Sequence, residues 1–94
     1  MTYTIKFTSQ FKKDVKRAKK QNKNIDLLFD VIDKLSRQEV LDKKFKVHKL
    51  TGELSGVMEC HIEPDFLLEY QYYNEDLILM CIRVGSHSEL FKPK

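Results

Sequence analysis

Only two cysteines, two prolines and three glycines occur in the 94 residues, and no apolar run is long. Each scarcity removes a class of protein. Cys60 and Cys81 lack C-x-x-C spacing, and with no export signal they are expected as buried thiols, not as a disulfide or a metal site. The apolar stretches Phe66–Tyr73 and Leu77–Val84 fall short of the about 20 residues a membrane helix needs. MTYTIKF at the N-terminus has no apolar core of a secretory signal, so no membrane partner and a cytoplasmic location are expected. Nothing reads as a linker, an internal repeat or a low-complexity tract. The expectation is one domain, residues 1–94.

What is present can build a core. Hydrophobic residues make up 41% of the chain, with six Phe and four Tyr, which excludes a disordered segment. A chain this short buries roughly 60–65% of its unfolded surface. Charge is unevenly placed. Residues 1–24 hold eight Lys or Arg against the single Asp14, a net of +7, while the other seventy hold nine basic and thirteen acidic groups. A basic first third suits a polyanion or an acidic partner protein, and equally a solvated lysine-rich helix face.

Periodicity orders the elements. Tyr3, Ile5 and Phe7 alternate as in a first strand. Thr8 or Ser9 caps a helix to about Asn22, with Phe11, Val15 and Ala18 on its apolar face and Lys12, Lys13, Lys16, Arg17, Lys19 and Lys20 elsewhere. A second helix, Ile25–Gln38, carries Ile25, Leu28, Phe29, Ile32 and Leu35 on one stripe. Lys43–Leu54 reads as a loop, with Gly52 and Gly56 bracketing a turn. Three strands follow. VMECHI sets Met58, Cys60 and Ile62 on one face and Glu59 and His61 on the other. Pro64-Asp65 turns into Phe66–Tyr73, and Asn74-Glu75-Asp76 turns into LILMCIRV, apolar on both faces before Arg83 and so expected to be central. The string is β-α-α-β-β-β, an α+β domain with a helical hairpin on one face of a mostly antiparallel sheet.

If adjacent strands bring their ends together, three histidines, Arg83 and one or two carboxylates line a single concave surface. His61 and Glu59 face away from the core, His48 sits in the basic loop KFKVHKL, and His87 follows the last strand beyond Arg83 and Gly85. Phosphodiester cleavage needs a base, an acid and cations for the phosphorane, and histidine serves both proton roles near neutral pH. Each residue also has an ordinary reading: a surface histidine, an arginine stem lying along apolar surface, an Asp65 that only shapes its turn. Three histidines separated by thirteen and twenty-six residues match no local zinc motif, so no metal or other cofactor is expected. Phe91 is either a core plug or a stacking platform for a base.

The run HKLTGELSGVMECHIEPDFLLEYQ, an apolar strand and then RVGSHSELF together resemble the YafQ-type branch of the RelE/ParE toxin superfamily. The likeness covers nearly the whole chain. It implies a RelE-like fold and the toxin of a type II toxin–antitoxin pair, which enters the ribosomal A site and cleaves mRNA without metal by 2′-hydroxyl attack. It further implies that His48, His61, Asp65 and His87 handle protons or contact phosphate. His87 is then the general acid, and His48 or His61 the base. Arg83 is the transition-state cation, Phe91 lies beside the site, and Glu59 stands where some relatives have aspartate. Lys46, Lys49 and the helix cations Lys12, Lys13, Lys16, Arg17 and Lys20 are expected to bind RNA. The implied partners are a cognate antitoxin and the ribosome, with DNA met only through the toxin–antitoxin complex. Two alternatives keep the fold: a ParE-like gyrase inhibitor, against which the three histidines count, and a non-catalytic RNA- or antitoxin-binding module.

Overall fold

A computed structural model describes residues 2–52 and 56–91. In chain order they form β1 (Thr4–Phe7), α1 (Ser9–Lys20), α2 (Ile25–Ser36), β2 (His48–Lys49), β3 (Met58–Glu63), β4 (Phe66–Tyr73), β5 (Ile78–Gly85) and α3 (His87–Leu90). The five strands make one sheet in the order β1-β5-β4-β3-β2. β1 runs parallel to β5 and every other pairing is antiparallel. The architecture is the expected α+β one. Among the described residues no helix is long and apolar enough to cross a membrane.

Several details refine the expectation. The stretch read as a loop contains a 3₁₀ turn, Lys43–Phe45, and the two-residue β2, both too short to show a period. The turn expected between Gly52 and Gly56 lies outside the described residues, as does the tail after Phe91. β5 is bonded on both sides, but the middle place belongs to β4, buried at five consecutive positions from Phe66 to Tyr70. On α2 the buried stripe is Leu28, Val31, Ile32 and Leu35, with Phe29 left partly exposed. That helix stops at Ser36 because the chain then turns through Gln38 in the left-handed region (φ 57°).

The core lies between the helices and one sheet face. Phe11, Val15 and Ala18 of α1 and the α2 stripe meet Cys60, Ile62, Phe66, Leu68, Tyr70, Leu79, Cys81 and Val84. Burial pushes the Cys60 and Cys81 thiols up to about 12, which keeps them protonated and inert, as expected. Leu28, Leu68 and Leu79 are fully buried, so each truncation to Ala removes about 2–5 kcal/mol.

Two features position the site. First, β1 pairs only with Ile78–Cys81, and α1 takes over the strand edge that β1 leaves. Thr8 Oγ1 caps α1 by accepting from Phe11 N–H (2.9 Å) and donates to the Ile82 carbonyl (2.7 Å). Val84 N–H donates to Asp14, and Arg17 donates to the Val84 carbonyl (3.3 Å). Side chains thereby satisfy backbone groups that would otherwise form an open sheet edge. Second, β5 bulges. Glu69 pairs with Arg83 while Tyr70 pairs with Cys81, which leaves Ile82 as the extra residue. Without that bulge Arg83 would share the core face of Leu79 and Cys81.

Candidate active site

On the sheet face opposite the core, strand register assembles residues far apart in sequence. One cross-strand row reads His48, Glu59, Glu69, Arg83 across β2, β3, β4 and β5. The next row is His61, Leu67, Gly85, and α3 begins immediately after with His87. The three histidine rings form a line, with centroids 6.2 Å apart for His48–His61 and 5.6 Å for His61–His87.

Each ring is held differently. α3 is only four residues long, and a capping box fixes it: Ser86 Oγ accepts from Glu89 N–H while Glu89 Oε1 accepts from Ser86 N–H (2.8 Å). Asp65, on the β3–β4 turn, accepts from His87 twice, from the backbone N–H (2.9 Å) and from ring Nδ1 (2.7 Å). Those two bonds, the backbone one foremost, hold the Asp65 carboxyl below the usual aspartate value. With Nδ1 donating to Asp65, Nε2 of His87 is left to exchange a proton with a substrate.

Both nitrogens of His48 are occupied. Nδ1 donates to the Lys46 carbonyl (2.7 Å), which the left-handed conformation of Lys46 (φ 47°) turns back toward the ring. Nε2 lies 3.1 Å from Glu59 Oε1. Glu59 was expected on this face, and the structure adds that it is almost fully buried (4% exposed), with Oε2 unpartnered among the described residues. His61 stands half-buried between the other two rings, with no side-chain partner among the described residues.

Arg83 is anchored by a residue the sequence reading left without a role. Asp14, the one acid among the lysines of α1, is fully buried and accepts from Arg83 Nε (3.0 Å) and Nη2 (3.1 Å), from Gln10 and from Val84 N–H. Burial works to raise its pKa, but those donors outweigh burial and leave it lowered. Arg17 completes a chain of charges, 3.2 Å from Asp14 and 2.8 Å from Glu89. Arg17 thereby braces α1 against α3, with its side chain 37% exposed. Lys12, Lys13, Lys16 and Lys20 of α1 are exposed, as are Lys46 and Lys49. Phe91 is 43% exposed and follows α3 directly, so it is not a core plug.

Beside His61 and His87 opens a cavity of about 540 Å³, with apolar walls from Leu27, Phe45, Ile62 and Pro64 and with Lys44 and Lys46 at its edge. Among the described residues no three His, Cys, Asp or Glu side chains are grouped to hold a metal ion. His48 with Glu59, and His87 with Asp65, are instead satisfied as hydrogen-bonded pairs. Sequence reasoning missed Asp14, Glu69 and Glu89. A lone acid in a basic helix, a charge inside an apolar strand and the S-x-x-E spacing of Ser86 and Glu89 were the available signals.

Comparison with known proteins gives first a class. The structure superposes on a metal-bound toxin from Helicobacter pylori with a TM-score of 0.89, at 41% identity over 97% of this chain and all of the other. The Escherichia coli DinJ–YafQ toxin–antitoxin complex matches with a TM-score of 0.86, at 32% identity over 97% of this chain and 99% of the other. These are small bacterial toxins. More particularly, residues 3–92 match the family described as bacterial toxin of type II toxin–antitoxin system, YafQ. The mRNA interferase toxin YafQ of Escherichia coli K12 is 34% identical over 88 residues, 93% of this chain and 94% of its own. The chain belongs to the YafQ family.

Proposed function

We propose that this YafQ-family toxin is an mRNA interferase, a metal-independent endoribonuclease that cuts message in the ribosomal A site. The line of three histidines, ending in a His87 oriented by Asp65, is the observation that carries this reading. His61, with both ring nitrogens uncommitted among the described residues, takes the proton of the attacking 2′-hydroxyl. The 2′-oxygen bonds to phosphorus and the bond from phosphorus to the 5′-oxygen breaks. His87, as imidazolium, gives its Nε2 proton to that leaving oxygen, so a cyclic phosphate and a free 5′-hydroxyl result. Arg83, steadied by Asp14, faces the charge that builds on the phosphorane. His48 is a weaker candidate for the base, because Lys46 and Glu59 occupy its two nitrogens. It is held against Glu59 at the edge of the site.

A chain of this size gives substrate orientation to the ribosome, and positioning is a large part of catalysis. The exposed lysines of α1 suit rRNA phosphates, Lys46 and Lys49 suit the message beside the site, and Phe91 offers a ring on which a base can stack. The same basic surface suits an acidic segment of a cognate antitoxin, in keeping with the Escherichia coli DinJ–YafQ complex. The workplace of such a toxin is the cytoplasm. Primer extension on an mRNA translated in a reconstituted system tests the proposal. Cleavage inside the reading frame should need ribosomes and should fall by about 100- to 10,000-fold in His87→Ala. An intact message with wild-type protein would sink it.

A further inference from the structure

Glu69 is the member of the charged row with no task in the chemistry above. Glu59 is paired with His48, and Arg83 with Asp14, whereas only burial and neighbouring charge act on the Glu69 carboxyl. The residue is 5% exposed, and the register sets it between Glu59 on β3 and Arg83 on β5. Two carboxylates abreast in a buried row repel, and such a pair retains a proton that an isolated carboxylate would release. Among the described residues Glu59 Oε2 is a buried acceptor without a donor, and a carboxylic acid on the adjoining strand can supply one.

We propose that Glu69 is a positioning residue of the ribonuclease site: as a neutral acid it donates to Glu59 and leaves Arg83 turned to the phosphate, and as an anion it draws Arg83 away. This rests on the function proposed above. The charged groups facing Glu69 are Glu59 from β3, with His48 behind it on β2, Arg83 from β5 and Asp14 from α1. Burial first, then the charges of Glu59 and Asp14, push its carboxyl up to about 7 against the pull of Arg83. The neutral form adds no charge between Glu59 and Arg83. Ionisation adds an anion beside the place where the phosphorane charge must develop, and turnover falls.

The test compares kcat/KM for wild type and Glu69→Gln on ribosome-bound message from pH 6 to 8. Glutamine keeps the shape and never ionises, so common histidine titrations cancel in the ratio of variant to wild type. With a midpoint of about 7, that ratio should climb by up to about tenfold over the range. A flat ratio overturns the proposal, since a purely structural role gives no pH dependence. Infrared difference spectra of folded protein supply a readout independent of turnover. Wild type should show a protonated-carboxyl band at pH 6 that fades by pH 8 and is missing from Glu69→Gln. Absence of that band in active wild type sinks this inference alone. Failure of wild type to cleave message sinks the nuclease reading, and with it the role in positioning Arg83.

Discussion

Asp14→Asn is the perturbation that asks most of this structure. The substitution keeps the shape of a fully buried side chain and removes the charge that Arg83, Gln10 and Val84 N–H all address. It also puts an amide donor where two oxygens accepted, so Arg83 or Val84 N–H faces another donor. Breaking a buried pair from one side costs about 3–5 kcal/mol. Arg83 is 30% exposed and Arg17 37%, so both can rehydrate, and about 2–3 kcal/mol is the expected loss. A domain of this size has roughly 5–14 kcal/mol in total, so the variant stays folded, with its melting point lowered by about 10–20 °C.

Urea unfolding of both proteins measures the loss as a shift in midpoint at constant slope. The pH dependence has a definite sign. The folded-state pKa of Asp14 is lowered from 3.8, so its contribution is complete above that value and is lost as pH falls through the lower folded one. The gap between wild type and Asp14→Asn should therefore be full at pH 7 and narrow in acid. A gap under about 1 kcal/mol at pH 7, or one of equal size in strong acid, would refute the account of Asp14 as the anchor of Arg83.

Two further substitutions probe the mounting of His87. Gly85→Ala places a Cβ 2.9 Å from Arg17 Nη2 and 3.0 Å from Glu89 Oε1, inside the clasp that holds α3. Both atoms are tips of flexible side chains, so the substitution should cost no more than about 1 kcal/mol by thermal melting yet lower cleavage more than that loss explains, whereas unchanged activity would show that α3 does not depend on the clasp. Asp65→Asn keeps an oxygen for the His87 backbone N–H but removes the anion beside the ring. Cleavage should fall by about 100-fold or more with the melting point little changed, and near-normal cleavage would remove Asp65 from the mechanism.

These predictions depend on features that differ in how far the sequence exposes them. The helices and long strands were legible because each carries enough residues to show a period, and alternation in VMECHI correctly put Glu59 and His61 together. β2 has two residues and shows none, so the pairing of His48 with Glu59 was invisible although both residues were singled out. The bulge at Ile82 was hidden for another reason. LILMCIRV is apolar on both faces, so one extra residue leaves no break in the pattern, yet it decides that Arg83 stands opposite Glu69 and off the core face. Asp14 was hidden by its company, since a carboxylate among six cations reads as one more surface charge. Its burial follows from where β1 ends: a strand of four residues leaves Val84 N–H unpaired, and only an acceptor on the next helix can reach it. The elements were therefore written in local pattern, and the site's electrostatics in the lengths of its shortest strands.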